Sequence, residues 1–231
     1  MPLAFGGLCS TILTIFGLDR KSWKNGVAIM KGFRTVFAVA CICLFAVPAS
    51  AALKVGAIAP NFTGTGSLGG KIFKFNLASA LRKGPVVLYF FPSAYTQGCD
   101  LEAHTFATQI GKFKAVGASV VGVSADDLAR LKQFSADPHF CAGKFPIVSD
   151  ASTRIAASYK LHVSPAIPGA KDVRGVKIGH GFIERFTYVI GRGGKILAEF
   201  SSRLDHLTPD QHVYKSLAIV RQLQSSRGKH A

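Results

Sequence analysis

Pro85-Val86-Val87-Leu88-Tyr89-Phe90-Phe91-Pro92-Ser93-Ala94-Tyr95-Thr96-Gln97-Gly98-Cys99 changes character at Pro92. The run before it, β-branched and aromatic without a polar break, has the composition of a strand buried on both faces. Proline ends that strand, and a short polar turn follows. Cys99 then opens a stretch in which Leu101, Phe106, Ile110 and Phe113 recur at helical spacing, which predicts a helix over residues 99–114. A cysteine at a helix start faces backbone N–H groups that have no partner within the helix, and these favour the ionised sulfur. The junction presents a nucleophile.

Outward from this junction, strands and helices alternate. Residues 62–75 read as a β-hairpin with Gly69-Gly70 at the tip, and a short helix follows, starting at Asn76 or Ser79 and ending at Leu81. Downstream come an apolar strand at 118–123, a helix led by Asp126-Asp127, a strand at 145–148 and a helix at 151–161. Residues 162–181 hold two prolines and four glycines without periodicity and read as a loop. A second hairpin joins 185–190 to 195–200 through Gly191-Arg192-Gly193-Gly194, and Thr208-Pro209 opens a last helix to about Ser225. Parallel βαβ units followed by a hairpin and a closing helix give an α/β class of thioredoxin-like fold: a central mixed sheet, flanking helices and an N-terminal β-hairpin.

The first 51 of the 231 residues read as an export leader. Met30-Lys31-Gly32-Phe33-Arg34 is basic, residues 36–47 are apolar, and Pro48-Ala49-Ser50-Ala51 is a small-residue cleavage site, so the leader is expected to begin at Met30 and end after Ala51. Twelve apolar residues fall short of the roughly 20 that a membrane span needs. The mature domain is then 52–231, the expected address is the bacterial periplasm, and Cys9, Cys41 and Cys43 depart with the leader. Cys99 and Cys141 remain, which suits one disulfide or one redox pair in an oxidising compartment. Five of the 28 basic and one of the 12 acidic residues lie in the leader, leaving a formal charge of +12 on the mature chain. Such a charge allows weak association with an anionic membrane surface. The basic residues never form a run of three and no nucleic-acid motif accompanies them, so no nucleic acid is expected as a partner.

Pro92, Thr96 and Cys99 stand in the spacing Pro-x-x-x-Thr-x-x-Cys. This resembles the active-site motif of the peroxiredoxins, thiol peroxidases built on a thioredoxin-like fold. The turn Thr96-Gln97-Gly98-Cys99 with Glu102 three residues on is similar to the peroxiredoxin Q group, the bacterioferritin comigratory proteins. The resemblance runs from about Leu53 to the last helix. It implies that Cys99 attacks hydrogen peroxide or an organic hydroperoxide and becomes a sulfenic acid. It further implies that the Thr96 hydroxyl bonds the bound peroxide and that Pro92 shields the sulfur from water. Arg185, before the apolar run 186–190, matches the cation that this family sets beside the sulfur; otherwise it is an exposed arginine at a strand end. Glu102 either supports a nearby cation or simply occupies a first helical turn, where acids are favoured.

One departure stands out. Members of the peroxiredoxin Q group often carry a resolving cysteine five residues after the nucleophile, and that position here is His104. Cys141, in a turn-rich segment, is the remaining candidate resolver, the alternative being an external thiol. The resemblance implies an external dithiol reductant of thioredoxin or glutaredoxin type, a monomer or dimer, and no cofactor. His139 with Cys141 is too few ligands for a metal. Two other readings stay open: a thiol–disulfide oxidoreductase, which wants a cysteine where Thr96 stands, and a non-catalytic binding or chaperone-like module.

Overall fold

The computed structural model describes residues 52–228, so the expected leader lies outside the described residues. The chain begins with a hairpin of β1 (Thr63–Leu68) and β2 (Lys71–Asn76). Gly69 and Gly70 take φ of 57° and 79° at its tip, the left-handed pair that a two-residue hairpin turn requires. Asn76 then caps α1 (Leu77–Lys83), its side chain accepting the Ser79 N–H at 2.9 Å. The elements that follow are β3 (Val86–Phe90), α2 (Gln97–Ala115), β4 (Ser119–Ser124), α3 (Leu128–Ala136), β5 (Ile147–Ser149) and α4 (Arg154–Ser158). The chain continues through β6 (Val163–Ser164), β7 (Phe182–Ile183), β8 (Phe186–Ile190), β9 (Ile196–Ser201) and α5 (Pro209–Gly228).

Seven strands form one mixed sheet in the order β2-β1-β5-β4-β3-β8-β9, with β3, β4 and β5 parallel and β1, β8 and β9 antiparallel to their neighbours. This is the expected thioredoxin-like arrangement with its N-terminal hairpin. The central strand β3 is buried on both faces because the core is double. Val87, Tyr89 and Phe91 pack on one side with Phe106, Phe113, Phe134 and Val213 of the helices. Val86, Leu88 and Phe90 pack on the other with Leu77, Tyr159 and Tyr188. Strand alternation distributes one sequence run between two cores.

The structure corrects several boundaries. Helix α2 starts at Gln97, so Cys99 lies inside the first turn and does not open it. Only Asp127 caps α3, accepting the Arg130 N–H at 2.7 Å; Asp126 precedes the helix and is buried. Helix α4 is much shorter than 151–161 because the chain leaves the helix at Tyr159, whose ring is wholly buried. The segment expected as a loop is bracketed by the short pair β6 and β7.

Candidate active site

Strands β3 and β4 are parallel neighbours, so the loops that leave their carboxyl ends meet. Residues 91–96 come from the first loop and 125–127 from the second. Helix α2 departs from the first loop and buries Cys99, Glu102, Ala103, Phe106, Ile110 and Phe113 along one face. Cys99 is 2% exposed at the head of that face. Its sulfur has a cationic partner: Nη2 of Arg185 donates to Sγ at 3.1 Å.

Arg185 immediately precedes β8, the strand that pairs with β3, and this pairing carries it to the cysteine. Its Nη1 donates to Glu102 Oε2, one turn along α2 from the sulfur. Burial alone would lower the affinity of the guanidinium for its proton, but Glu102 and Cys99 raise it, so the cation is permanent. Glu102 is fully buried, and burial pushes its carboxyl up to about 7 against the opposing pull of Arg185. An exposed strand-end arginine and a merely helix-favoured acid are therefore both excluded. The guanidinium packs tightly beside Gly98, where an added Cβ would stand 3.2 Å from Nη2 and 3.4 Å from Pro209 Cγ.

Thr96 is half-buried, and its hydroxyl donates to the Ser93 carbonyl at 2.7 Å. With the hydroxyl hydrogen committed, its oxygen lone pairs are left free to accept a hydrogen bond. Pro92 is likewise half-buried at the end of β3.

Cys141 is fully buried in the same core as Cys99, and both are free thiols. Burial, reinforced by Asp137 and Asp100, pushes the Cys141 thiol well above its ordinary range, so it stays protonated in this conformation. Tyr89, stacked on Phe106 with ring centroids 4.6 Å apart, has a buried hydroxyl without a hydrogen-bond partner among the described residues, and it feels Cys141, Glu102 and Cys99 together. His104 is exposed but occupied, its Nδ1 lying 2.9 Å from the His139 carbonyl oxygen.

Residues that the sequence did not single out hold the turn. Tyr95 has φ of 58°, a left-handed value that a bulky side chain adopts only under constraint. The constraint is visible: its carbonyl accepts the Val173 N–H at 3.0 Å, the Arg174 guanidinium lies 3.2 Å above its ring centroid, and Phe134 and Phe140 meet the ring edge-on. Ser93 and Ala94 are bound to Asp126, which also meets Arg130 and His180. The available signal for Asp126 was its place just past the carboxyl end of an apolar parallel strand.

Residues 55–199 match the AhpC/TSA family. The chain belongs to that family. It is 34% identical over 149 residues to a putative peroxiredoxin of Mycobacterium tuberculosis, covering 64% of this chain and 86% of the relative. It is 30% identical over 168 residues to a chloroplastic peroxiredoxin Q of Oryza sativa subsp. japonica, covering 73% of this chain and 67% of the relative. The crystal structure of peroxidoxin BcpB from Mycobacterium tuberculosis superposes with a TM-score of 0.59 at 29% identity, covering 74% of this chain and 97% of that one. The protein is thus a peroxiredoxin near the peroxiredoxin Q group, an antioxidant oxidoreductase that reduces peroxides at the expense of thiols. Neither the thiol–disulfide oxidoreductase nor the non-catalytic reading is better supported.

Proposed function

We propose that Cys99 is the peroxide-reactive thiol of this peroxidase, and the observation that carries the reading is the 3.1 Å contact between Arg185 Nη2 and Cys99 Sγ. The thiolate attacks the terminal oxygen of the hydroperoxide. A sulfur–oxygen bond forms as the oxygen–oxygen bond breaks, sulfur is oxidised to sulfenic acid, and the departing oxygen leaves as water or alcohol after taking a proton. Arg185 stabilises both the thiolate and the charge on the separating oxygens, its planar fork serving two acceptors at once. Thr96 accepts the peroxide O–H, Pro92 excludes water from the sulfur, and Glu102 orients Arg185.

Cys141 resolves the sulfenic acid: its sulfur bonds Cys99, the sulfenic oxygen leaves as water, and an external dithiol of thioredoxin or glutaredoxin type reduces the resulting disulfide. The buried, protonated state of Cys141 calls for local opening of its turn before the thiol can ionise and attack. The protein acts after export to the periplasm, with residues 1–51 removed as a leader that starts at Met30. Its reductant, any weak association with anionic membrane and its monomeric or dimeric state belong to this reading. N-terminal sequencing of the secreted form tests the leader, and an intact protein beginning at Met1 counts against it.

Intact mass after one equivalent of hydrogen peroxide tests the chemistry. Loss of two hydrogens in the wild type, with one oxygen added to Cys99 in Cys141→Ser, supports both roles. Peroxide turnover that survives Cys99→Ser overturns the reading.

A further inference from the structure

The carboxylate of Asp126 is fully buried, yet it contacts five groups. Oδ1 accepts the Ser93 hydroxyl at 2.8 Å and lies 2.7 Å from His180 Nε2 and 2.9 Å from Arg130 Nε. Oδ2 accepts the Ala94 N–H at 2.7 Å and the Ser124 hydroxyl at 2.7 Å. Two of the five partners come from the turn between Pro92 and Thr96. Arg130 adds a third tie by donating to the Ala94 carbonyl at 2.8 Å. The turn's Ser93 carbonyl in turn receives the Thr96 hydroxyl, so the chain of bonds runs from Asp126 through Ser93 to the residue that faces the peroxide.

The outer side of this cluster belongs to the segment between β6 and β7. Its Asp172 accepts from Arg130 Nη2 at 2.8 Å and from Arg174 Nη2 at 2.8 Å, and its His180 bonds Asp126. Burial would raise the Asp126 carboxyl, but the His180 bond, the Ala94 N–H and the Ser124 hydroxyl outweigh it and hold the group below its ordinary range. A fixed anion with its lone pairs spoken for is a rigid mount, because removing any acceptor strands a buried donor.

We propose that Asp126 is a positioning residue of the peroxide site, holding the turn at residues 93–95 and with it the flanking Pro92 and Thr96 that lead into the Cys99 helix. The proposal rests on the reading of Cys99 as the peroxide-reactive thiol. Asp126 touches no reacting atom. It acts on the geometry that the peroxide requires and that a small alkylating agent does not, since the latter needs only an accessible thiolate. Attack on a peroxide is sensitive to displacements of the order of 1 Å in the groups that orient it.

The test measures two rates on Cys99 in Asp126→Asn, made in the Cys141→Ser background: oxygen addition by hydrogen peroxide, followed by rapid-quench mass, and alkylation by iodoacetamide. The expected result is a fall of about tenfold or more in the peroxide rate with alkylation unchanged or faster. A folded variant whose peroxide rate stays within about twofold of its parent overturns the proposal, and so does a proportional fall in both rates, which would mean loss of thiolate instead of misplacement. Should Asp126→Asn fail to fold, Ser93→Ala decides, because it removes one bond and leaves the carboxylate in place. It is expected to slow the peroxide reaction about threefold or more without slowing alkylation, and equal rates overturn the proposal. Failure of the underlying reading looks different: the parent itself would gain no oxygen at Cys99.

Discussion

His104 Nδ1 donates to the backbone oxygen of His139 at 2.9 Å, which ties the helix that carries Cys99 to the turn that carries Cys141. The position that holds a cysteine in many peroxiredoxin Q proteins is here a bracket between the two elements that carry Cys99 and Cys141. Relocating the second thiol is thus compatible with the same helix. Cys141→Ser is expected to stop at the Cys99 sulfenic acid. Adding His104→Cys to it should restore disulfide formation, seen as loss of two hydrogens after one equivalent of peroxide. A double variant that accumulates Cys99 sulfinic acid would show that the first turns of α2 do not open far enough for position 104 to serve.

Gly98 makes room for the arginine. The missing Cβ would press on Arg185 Nη2 at 3.2 Å, while the backbone at Gly98 is ordinary helix. Alanine is favoured over glycine within a helix by about 1 kcal/mol, so Gly98→Ala should leave the melting temperature nearly unchanged. The same methyl should displace the guanidinium from the sulfur and lower kcat/KM for peroxide by roughly tenfold to a hundredfold. Activity lost together with a large drop in Tm would point to general unfolding instead.

The fold was legible because its signals are local. The run from Val86 to Phe90 announces a doubly buried strand, Gly69-Gly70 a hairpin, and Pro92, Thr96 and Cys99 a reactive turn. Arg185 was legible only through the resemblance, since it lies 86 residues from Cys99 and reaches it by the pairing of β8 with β3. Asp126 and His180 were read, respectively, as the start of a helix and as part of a featureless loop. Their meeting depends on two segments 54 residues apart folding over the same turn, and no periodicity in either segment encodes that. Likewise the burial of Glu102 follows from the direction of α2 against the sheet, and its place in a first helical turn would suit a solvated acid equally well.

His180 gives the clasp on this turn a pH dependence in stability. Burial would lower its affinity for a proton, but the Asp126 carboxylate and the Gly181 carbonyl outweigh that, and Arg130 opposes them, so the net direction is upward from 6.5. The ring also packs against Phe182, with centroids 5.9 Å apart, and shares a cavity with Asp127, Arg130, Arg174 and Lys177. A raised folded-state value stabilises fully below the unfolded value of about 6.5, and the contribution fades as pH rises through the folded one. Denaturant midpoints compared from about pH 6 to about pH 9 should therefore show the wild-type advantage over His180→Gln shrinking with rising pH. An advantage that is constant across that window would mean that the Asp126 bond does not depend on the imidazole charge.

Glu102 is expected to make activity respond to pH near neutrality. Its carboxyl, raised by burial to about 7, is protonated below that value and ionised above it. Only the ionised form gives Arg185 Nη1 a charged partner, and that pair fixes the direction in which Nη2 reaches Cys99. Glu102→Gln keeps the shape of the protonated side chain but never acquires the charge. The variant should thus fall well below the wild type at about pH 8, by roughly tenfold in kcat/KM, and approach it at about pH 6, where the wild-type carboxyl is itself mostly neutral. The rate of Cys99 oxidation against pH for both proteins provides the check. A gap of the same size at both ends would show that Glu102 does not change charge in this interval and that it orients Arg185 through hydrogen bonding alone.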